Sequence, residues 1–201
     1  GSDNKNDDSK VLLDTNKLVN EQYVKNLEND TNAKTYLSKR NINEDMVQNF
    51  NLGLSKDSWD NITELLVKKN KTKEGVDLGL LVKNKDKIYD RFRNRIMFPI
   101  RNTSGNIIAF GGRALDKNDN AKYINSPESK LFYKSNEVYG LFESKQYINK
   151  VDQIIVVEGY TDVIALHQNG IKNAVAALGT AFTKFHINKL LRYSKNIVFC
   201  F

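Results

Sequence analysis

Gln153 to Leu166 reads QIIVVEGYTDVIAL, and this stretch decides the fold. Ile154, Ile155, Val156 and Val157 are β-branched and read as a short buried strand. Glu158-Gly159 then turns the chain into a helix whose first turn carries Asp162. Glu158 is thereby placed at the carboxyl end of a strand, the edge where open α/β sheets hold their ligands. Two hard oxygen donors at that edge suit Mg²⁺ and phosphate chemistry, and Gly159 lets backbone amides approach a phosphate. A plainer reading stands beside this one: Glu158 caps a backbone turn and Asp162 forms a surface helix pair, because a strand–acid–glycine–helix match is a short motif.

Downstream the pattern alternates. The helix over 161–168 ends at Asn169-Gly170, and a strand over Ala174–Ala177 runs into Gly179-Thr180. A helix over about 183–193 and an apolar strand over 196–201 follow. Strand, helix, strand, helix, strand implies a parallel sheet with right-handed crossovers. The sequence stops inside that last strand, which reads as a truncation. It leaves an exposed flank open to dimerisation or swapping.

Upstream, Arg95–Arg101 and Ile107–Arg113 read as two strands joined by Asn102-Thr103-Ser104-Gly105-Asn106, a hairpin signature. Pro99 inside the first strand predicts an edge or a bulge. A short element covers Lys122–Pro127, and Glu143 opens a helix reaching about Lys150. The earlier part reads helical. Leu12, Leu13, Leu18, Val19, Val24 and Leu27 recur near helical spacing. Thr31 or Asn32 caps a helix ending near Lys39–Asn41, and Asn43 caps the next, which breaks at Gly53. Ser58–Lys69 gives another, with Trp59 among its apolar contacts.

With 201 residues, 40% of them hydrophobic, and only two prolines, the chain can bury a sizeable core. No apolar run approaches the roughly 20 residues of a membrane helix. One cysteine, Cys200, and two histidines leave no internal disulfide and no Cys/His zinc spacing, which points to a reducing compartment. Lys and Arg number 31 against 24 Asp and Glu, a net +7 that permits nucleic-acid binding without establishing it. Gly1-Ser2 reads as a cloning remnant and Asp3–Lys10 as disordered or tag-proximal.

Basic residues interleave with aromatics beyond Gly111-Gly112. Arg113, then Lys122-Tyr123, then Lys134 after Phe132-Tyr133, suit a single strand whose phosphates need cations and whose bases stack on rings. The same residues also read as a solvated basic face beside core aromatics. Arg91, Arg93 and Arg95 alternate and would line one strand face. His167 and His186 read as helix-surface or capping residues, and Gly179-Thr180 as either a phosphate-facing turn or a plain one.

Four segments together resemble the catalytic core of DnaG-type (bacterial-type) DNA primases. They are YLSKRNINEDMVQNFNLGLSKDSWDNI, YDRFRNRIMFPIRNTSGNIIAFGGRAL, KYINSPESKLFYKSNEVYGL and IIVVEGYTDVIALHQNGIKNAVAALGTAFT. The resemblance implies an α/β fold: an α+β amino-terminal subdomain over 11–143, helical to about 85 and β-rich over 88–143, then a partial toprim subdomain over 144–201. It implies synthesis of short RNA primers on a single-stranded DNA template from ribonucleoside triphosphates, with Mg²⁺ or Mn²⁺. Metals held by the toprim acids would align the primer 3′-hydroxyl with the α-phosphate of the incoming nucleotide. By position, Glu158 matches the catalytic, metal-ligating toprim glutamate and Asp162 the acid after it. Arg40, Arg113, Lys122, Tyr123, Asn125 and Lys134 match the basic ridge and nucleotide contacts. The family pattern continues with an Asp-x-Asp pair beginning where this sequence stops, so the 201 residues are expected to be inactive or nearly so. The alternatives are a non-catalytic single-stranded-DNA-binding fragment and the primase part of a fused primase–helicase. A replicative helicase, bound through a region outside these residues, is the implied partner. The implied location is the bacterial cytoplasm or an organelle with bacterial-type replication.

Overall fold

The computed structural model describes residues 3–201, with side chains from Lys5 onward; Gly1-Ser2 falls outside the described residues. The chain opens on a long helix, α1 (Asp3–Glu28). The helix runs through Asp3–Lys10, the stretch expected to be disordered or tag-proximal, with residues 5–10 exposed. Leu12, Val19, Tyr23 and Leu27 lie buried along one stripe of α1 and anchor it, and helix then propagates into the polar turns at little cost.

Two short helices follow, α2 (Thr31–Lys39) and α3 (Glu44–Asn49). Asn43 caps α3 as expected, accepting from Met46 N at 3.0 Å. The α2 cap is Asp30, one residue before the expected Thr31 or Asn32, and it accepts from Ala33 N at 2.9 Å. Gly53 does not break a helix; it opens β1 (Gly53–Ser55). A Cβ there would lie 2.6 Å from Tyr23 Cβ, so only glycine lets α1 pack onto that strand. Helices α4 (Asn61–Lys68) and α5 (Thr72–Asp77) then lead into a hairpin of β2 (Leu81–Asn84) and β3 (Lys87–Asp90). Strand β2 lies in the stretch read as helical, whereas β3 falls at the start of the stretch read as β-rich.

The expected hairpin is β4 (Arg95–Arg101) with β5 (Ile107–Ala114). With β1 and β6 (Tyr123–Asn125) it makes an antiparallel sheet in the order β1-β4-β5-β6. Pro99 is accommodated in both expected ways. β1 pairs only Met97 to Arg95, which leaves Pro99 past its end, and the register shifts at Ile100/Arg101.

The last portion is a three-stranded parallel sheet in the order β8-β7-β9, from β7 (Ile154–Val157), β8 (Ala174–Ala176) and β9 (Ile197–Phe199). Its helices are α6 (Leu141–Val151), α7 (Tyr160–Gln168) and α8 (Lys184–Leu191). Tyr139 pairs with Ala176 and extends the β8 edge. β9 keeps the exposed flank the sequence implies: Val198, Phe199 and Phe201 are open to solvent. One apolar core joins both parts, with Ile96, Phe98 and Ile100 of β4 packed among Val157, Tyr160, Val163 and Ile164. Among the described residues no helix is long and apolar enough to cross a membrane.

Candidate functional site

Strand β7 ends at Val157, and Glu158 stands exposed at its carboxyl end as the sequence predicts. Asp162, also exposed, lies in the first turn of α7 and accepts from the backbone N–H of Gly159 at 3.2 Å. It therefore closes the α7 entry while one carboxylate oxygen stays uncommitted. A cleft of about 610 Å³ runs along these acids, lined also by Ile155, Ala165, Cys200 and Phe201.

Tyr160, the first residue of α7, turns inward. It stacks on Phe98 at 5.2 Å and meets Tyr139 edge-on at 4.6 Å. Burial pushes its hydroxyl pKa up, so the phenol stays a donor. That hydroxyl hydrogen-bonds Asn125 Oδ1, and Asn125 Nδ2 donates to the carbonyl of Leu178 at 3.3 Å. A side chain at Gly111 would collide with the Tyr160 ring, so the bare backbone of β5 makes the seat for it.

Arg113, beside that seat on β5, is 7% exposed and forms none of the salt bridges of the described residues. Its Nη1 donates to the Tyr123 hydroxyl and its Nε to the Tyr36 hydroxyl. Burial works against its charge, but the hydrogen bonds to Tyr123 and Tyr36 outweigh burial and hold its pKa above the usual value. Arg40 lies over the Tyr36 ring at 4.5 Å. Tyr123 in turn lies 6.2 Å from Tyr160, ring to ring. Arg40, Tyr36, Arg113, Tyr123, Tyr160 and Asn125 thus form one connected set reaching from α2 to the acid turn.

The remaining ridge residues attach less directly. Lys122 is exposed, and only its carbonyl is engaged, by Ala114 N and by Arg95 Nη1. Lys134 is half-buried and tied to the α8 entry, its carbonyl accepting from His186 Nε2 at 2.7 Å. His186 has the expected capping role, its Nδ1 accepting from Thr183 N at 2.9 Å, although it is fully buried. His167 departs from expectation. It is buried, its Nε2 lying 2.9 Å from Ser144 Oγ, and burial lowers its pKa to about 4.

The alternating arginines do not line one face. Arg95 is buried against Asp119 at 3.2 Å, and Arg91 Nε donates to Gly79 O at 2.6 Å. Arg93 instead lies over Trp59 at 3.8 Å. Trp59 is 61% exposed rather than an apolar contact of α4, and Tyr89 meets it edge-on at 5.3 Å. The sequence reading missed this platform. Its signal was a tryptophan within a Ser-Trp-Asp-Asn turn, outside the apolar stripe of the helix that follows.

A parallel sheet with an acid turn at its carboxyl edge, joined to an antiparallel sheet that carries basic and aromatic residues, defines the class: a toprim-bearing core. A family model for the DNA primase catalytic core, N-terminal domain, matches residues 22–145, and one for the Toprim domain matches 152–201. The chain belongs to the DNA primase catalytic-core family.

It is 51% identical to a DNA primase of Pseudomonas aeruginosa over 172 residues, covering 84% of this chain and 26% of that protein. It is 44% identical to a DNA primase of Legionella pneumophila over 203 residues, covering 100% of this chain and 35% of that protein. The chain thus spans a quarter to a third of the length of these relatives. Among solved structures, a DnaG primase catalytic domain bound to single-stranded DNA superposes with a TM-score of 0.91 at 40% identity, covering 96% of this chain and 61% of the other. The RNA polymerase domain of the Mycobacterium tuberculosis primase, in complex with double-stranded DNA carrying an overhang, gives 0.89 at 34% identity, covering 94% and 63%.

Proposed function

We propose that these residues are the template- and nucleotide-handling part of a DNA primase, which joins ribonucleoside triphosphates into short primers on single-stranded DNA. The observation that carries this reading is Arg113: a buried cation with no carboxylate partner among the described residues, hydrogen-bonded to Tyr123, whose ring neighbours Tyr160, two residues from Glu158. A cation held in that way is preorganised for an anion delivered from outside the protein, such as a triphosphate.

The donor set at the acid turn fits a hard divalent ion. Glu158 and Asp162 are exposed carboxylates at one strand end, with one Asp162 oxygen free of the Gly159 amide. No group of three His, Cys, Asp or Glu side chains gathers among the described residues, so these two supply part of a shell that Mg²⁺ or Mn²⁺ would complete with water or other oxygens. When bound, the ion supplies charge neutralisation at the α-phosphate. Glu158 holds it or takes the proton of the attacking 3′-hydroxyl. Arg113, Lys122, Lys134 and Arg40 neutralise phosphate oxygens of nucleotide and template. Tyr123 offers a ring edge beside them, and the Trp59–Arg93 platform offers an exposed face for a template base. A replicative helicase is the expected partner and the bacterial cytoplasm, or an organelle with bacterial-type replication, the expected location.

The exposed Lys122 and the exposed Trp59 beneath Arg93 also support a second reading, a non-catalytic binder of single-stranded DNA. One assay separates the two. The chain extended to its relatives' length is given labelled ribonucleotides, Mn²⁺ or Mg²⁺ and a single-stranded template. Template-dependent RNA supports the primase; DNA retention with no RNA at any metal concentration supports the binder.

A further inference from the structure

Tyr160 and Asn125 make a bridge whose role the acid turn and the ridge do not by themselves explain. Tyr160 is 6% exposed and held on three sides, by Phe98, Tyr139 and the bare backbone of Gly111. Its only polar atom goes to Asn125 Oδ1. Asn125 Nδ2 goes to Leu178 O, and a Cβ on the next residue, Gly179, would come within 3.2 Å of that same amide nitrogen. One side chain on β6 therefore clamps two turns at the carboxyl edge of the parallel sheet: the Glu158-Gly159 turn after β7, through Tyr160, and the Leu178–Thr180 turn after β8. The same strand carries Tyr123, which holds Arg113. Asn125 has thus committed its carbonyl oxygen and one amide proton inside the protein before any nucleotide arrives.

We propose that Tyr160 and Asn125 are positioning residues that act as a unit, fixing Glu158 and the turn after β8 relative to the cationic ridge. This rests on the primase reading and adds to it. Asn125 works through Tyr160 and Leu178, not only as a nucleotide contact, and the tyrosine of the EGY turn works through its hydroxyl. The physical expectation is a loss in kcat, because the reacting groups drift relative to one another, with binding of nucleotide and template largely kept. Misplacement of about 1 Å is enough to cost on the order of 100-fold.

The test uses the chain extended to its relatives' length, with Tyr160→Phe, Asn125→Ala and the double variant assayed for primer synthesis. Tyr160→Phe keeps the ring and its stacking, so it is expected to fold with little change in Tm. The predicted result is a kcat loss of about tenfold or more for each single variant. KM for ribonucleotide should stay within about twofold for Tyr160→Phe, Kd for single-stranded DNA should stay within about twofold for both single variants, and the double variant should be no worse in kcat than the poorer single. Wild-type kcat for Tyr160→Phe overturns the bridge. So do losses that multiply in the double variant, or an Asn125→Ala effect confined to KM, which would make Asn125 a nucleotide contact alone. Should Asn125→Ala prove unstable, Asn125→Asp replaces it: it keeps the acceptor for Tyr160 and loses the donor to Leu178, so a wild-type kcat there removes the Leu178 arm. Failure of the primase reading looks different, because the unsubstituted protein would then make no primers.

Discussion

Gly111 is bare because Tyr160 is large. The sequence showed Gly111-Gly112 as the end of a strand before an arginine, but nothing in it named the aromatic that fills the space. That partner comes from α7, 49 residues on, and only the folded chain brings it there. Gly111→Ala should cost about 2–3 kcal/mol by overpacking, read as a lower urea midpoint at unchanged slope. A variant as stable as its parent would mean Tyr160 has another seat. His167 makes a related point. Its place on a helix suggested surface, yet it faces Ser144 and Phe50, because a short helix packed on both sides has little surface to give. Its pKa falls from 6.5 to about 4, chiefly through burial, so the folded protein refuses a proton that the unfolded chain accepts. Its contribution is therefore complete above pH 6.5 and drains away as pH falls toward 4. Between pH 7.5 and 5 the loss is about 2 kcal/mol, and His167→Gln should remove that part of the pH dependence in urea titrations. An unchanged slope would place the ring in water.

At the scale of elements, legibility followed sequence distance. The Asn43 cap was readable because a cap and its amide lie three residues apart. The hairpin β4–β5 and the alternation of β7, α7, β8, α8 and β9 were readable from local patterns. Strand β1 was not, since three residues carry no period, and its partner Arg95–Met97 lies 40 to 44 positions away in register. The cap of α4 was invisible for the same reason. Asp60 stands at the formal cap position without capping, while Asp90, at the end of β3, accepts from Ile62 N at 2.9 Å, Thr63 N at 2.8 Å and Thr63 Oγ1 at 2.7 Å. Asp90 is buried, so Asp90→Ala should orphan buried donors and cost about 3 kcal/mol, whereas Asp60→Ala should cost under about 1. Denaturant titration of both decides it; equal effects would contradict this assignment of the cap.

Across the whole molecule, the acids and the cations reach one another because a single core spans both sheets. Phe98 of β4 and Tyr160 of α7 share a stack, so the antiparallel sheet and the acid turn move as neighbours rather than as separate lobes. The sequence resolved the parts of the candidate site separately, Glu158 and Asp162 at one turn and Arg113, Lys122 and Tyr123 along an earlier stretch of basic and aromatic residues. It could not show that Tyr36 and Tyr160 join them, because aromatic residues in apolar runs read simply as core. In the proposed function the buried Arg113, which has no acid partner among the described residues, meets phosphate, and Glu158 carries the chemistry. The most direct measurement is primer synthesis by the chain extended to its relatives' length, carrying Glu158→Gln, with single-stranded DNA binding followed in parallel. Synthesis should fall by at least 100-fold, the scale expected for losing a metal ligand or proton acceptor at a reacting centre, while the Kd for DNA holds within about twofold. Primer synthesis at the parent rate would contradict the role given to Glu158 and the account built on it.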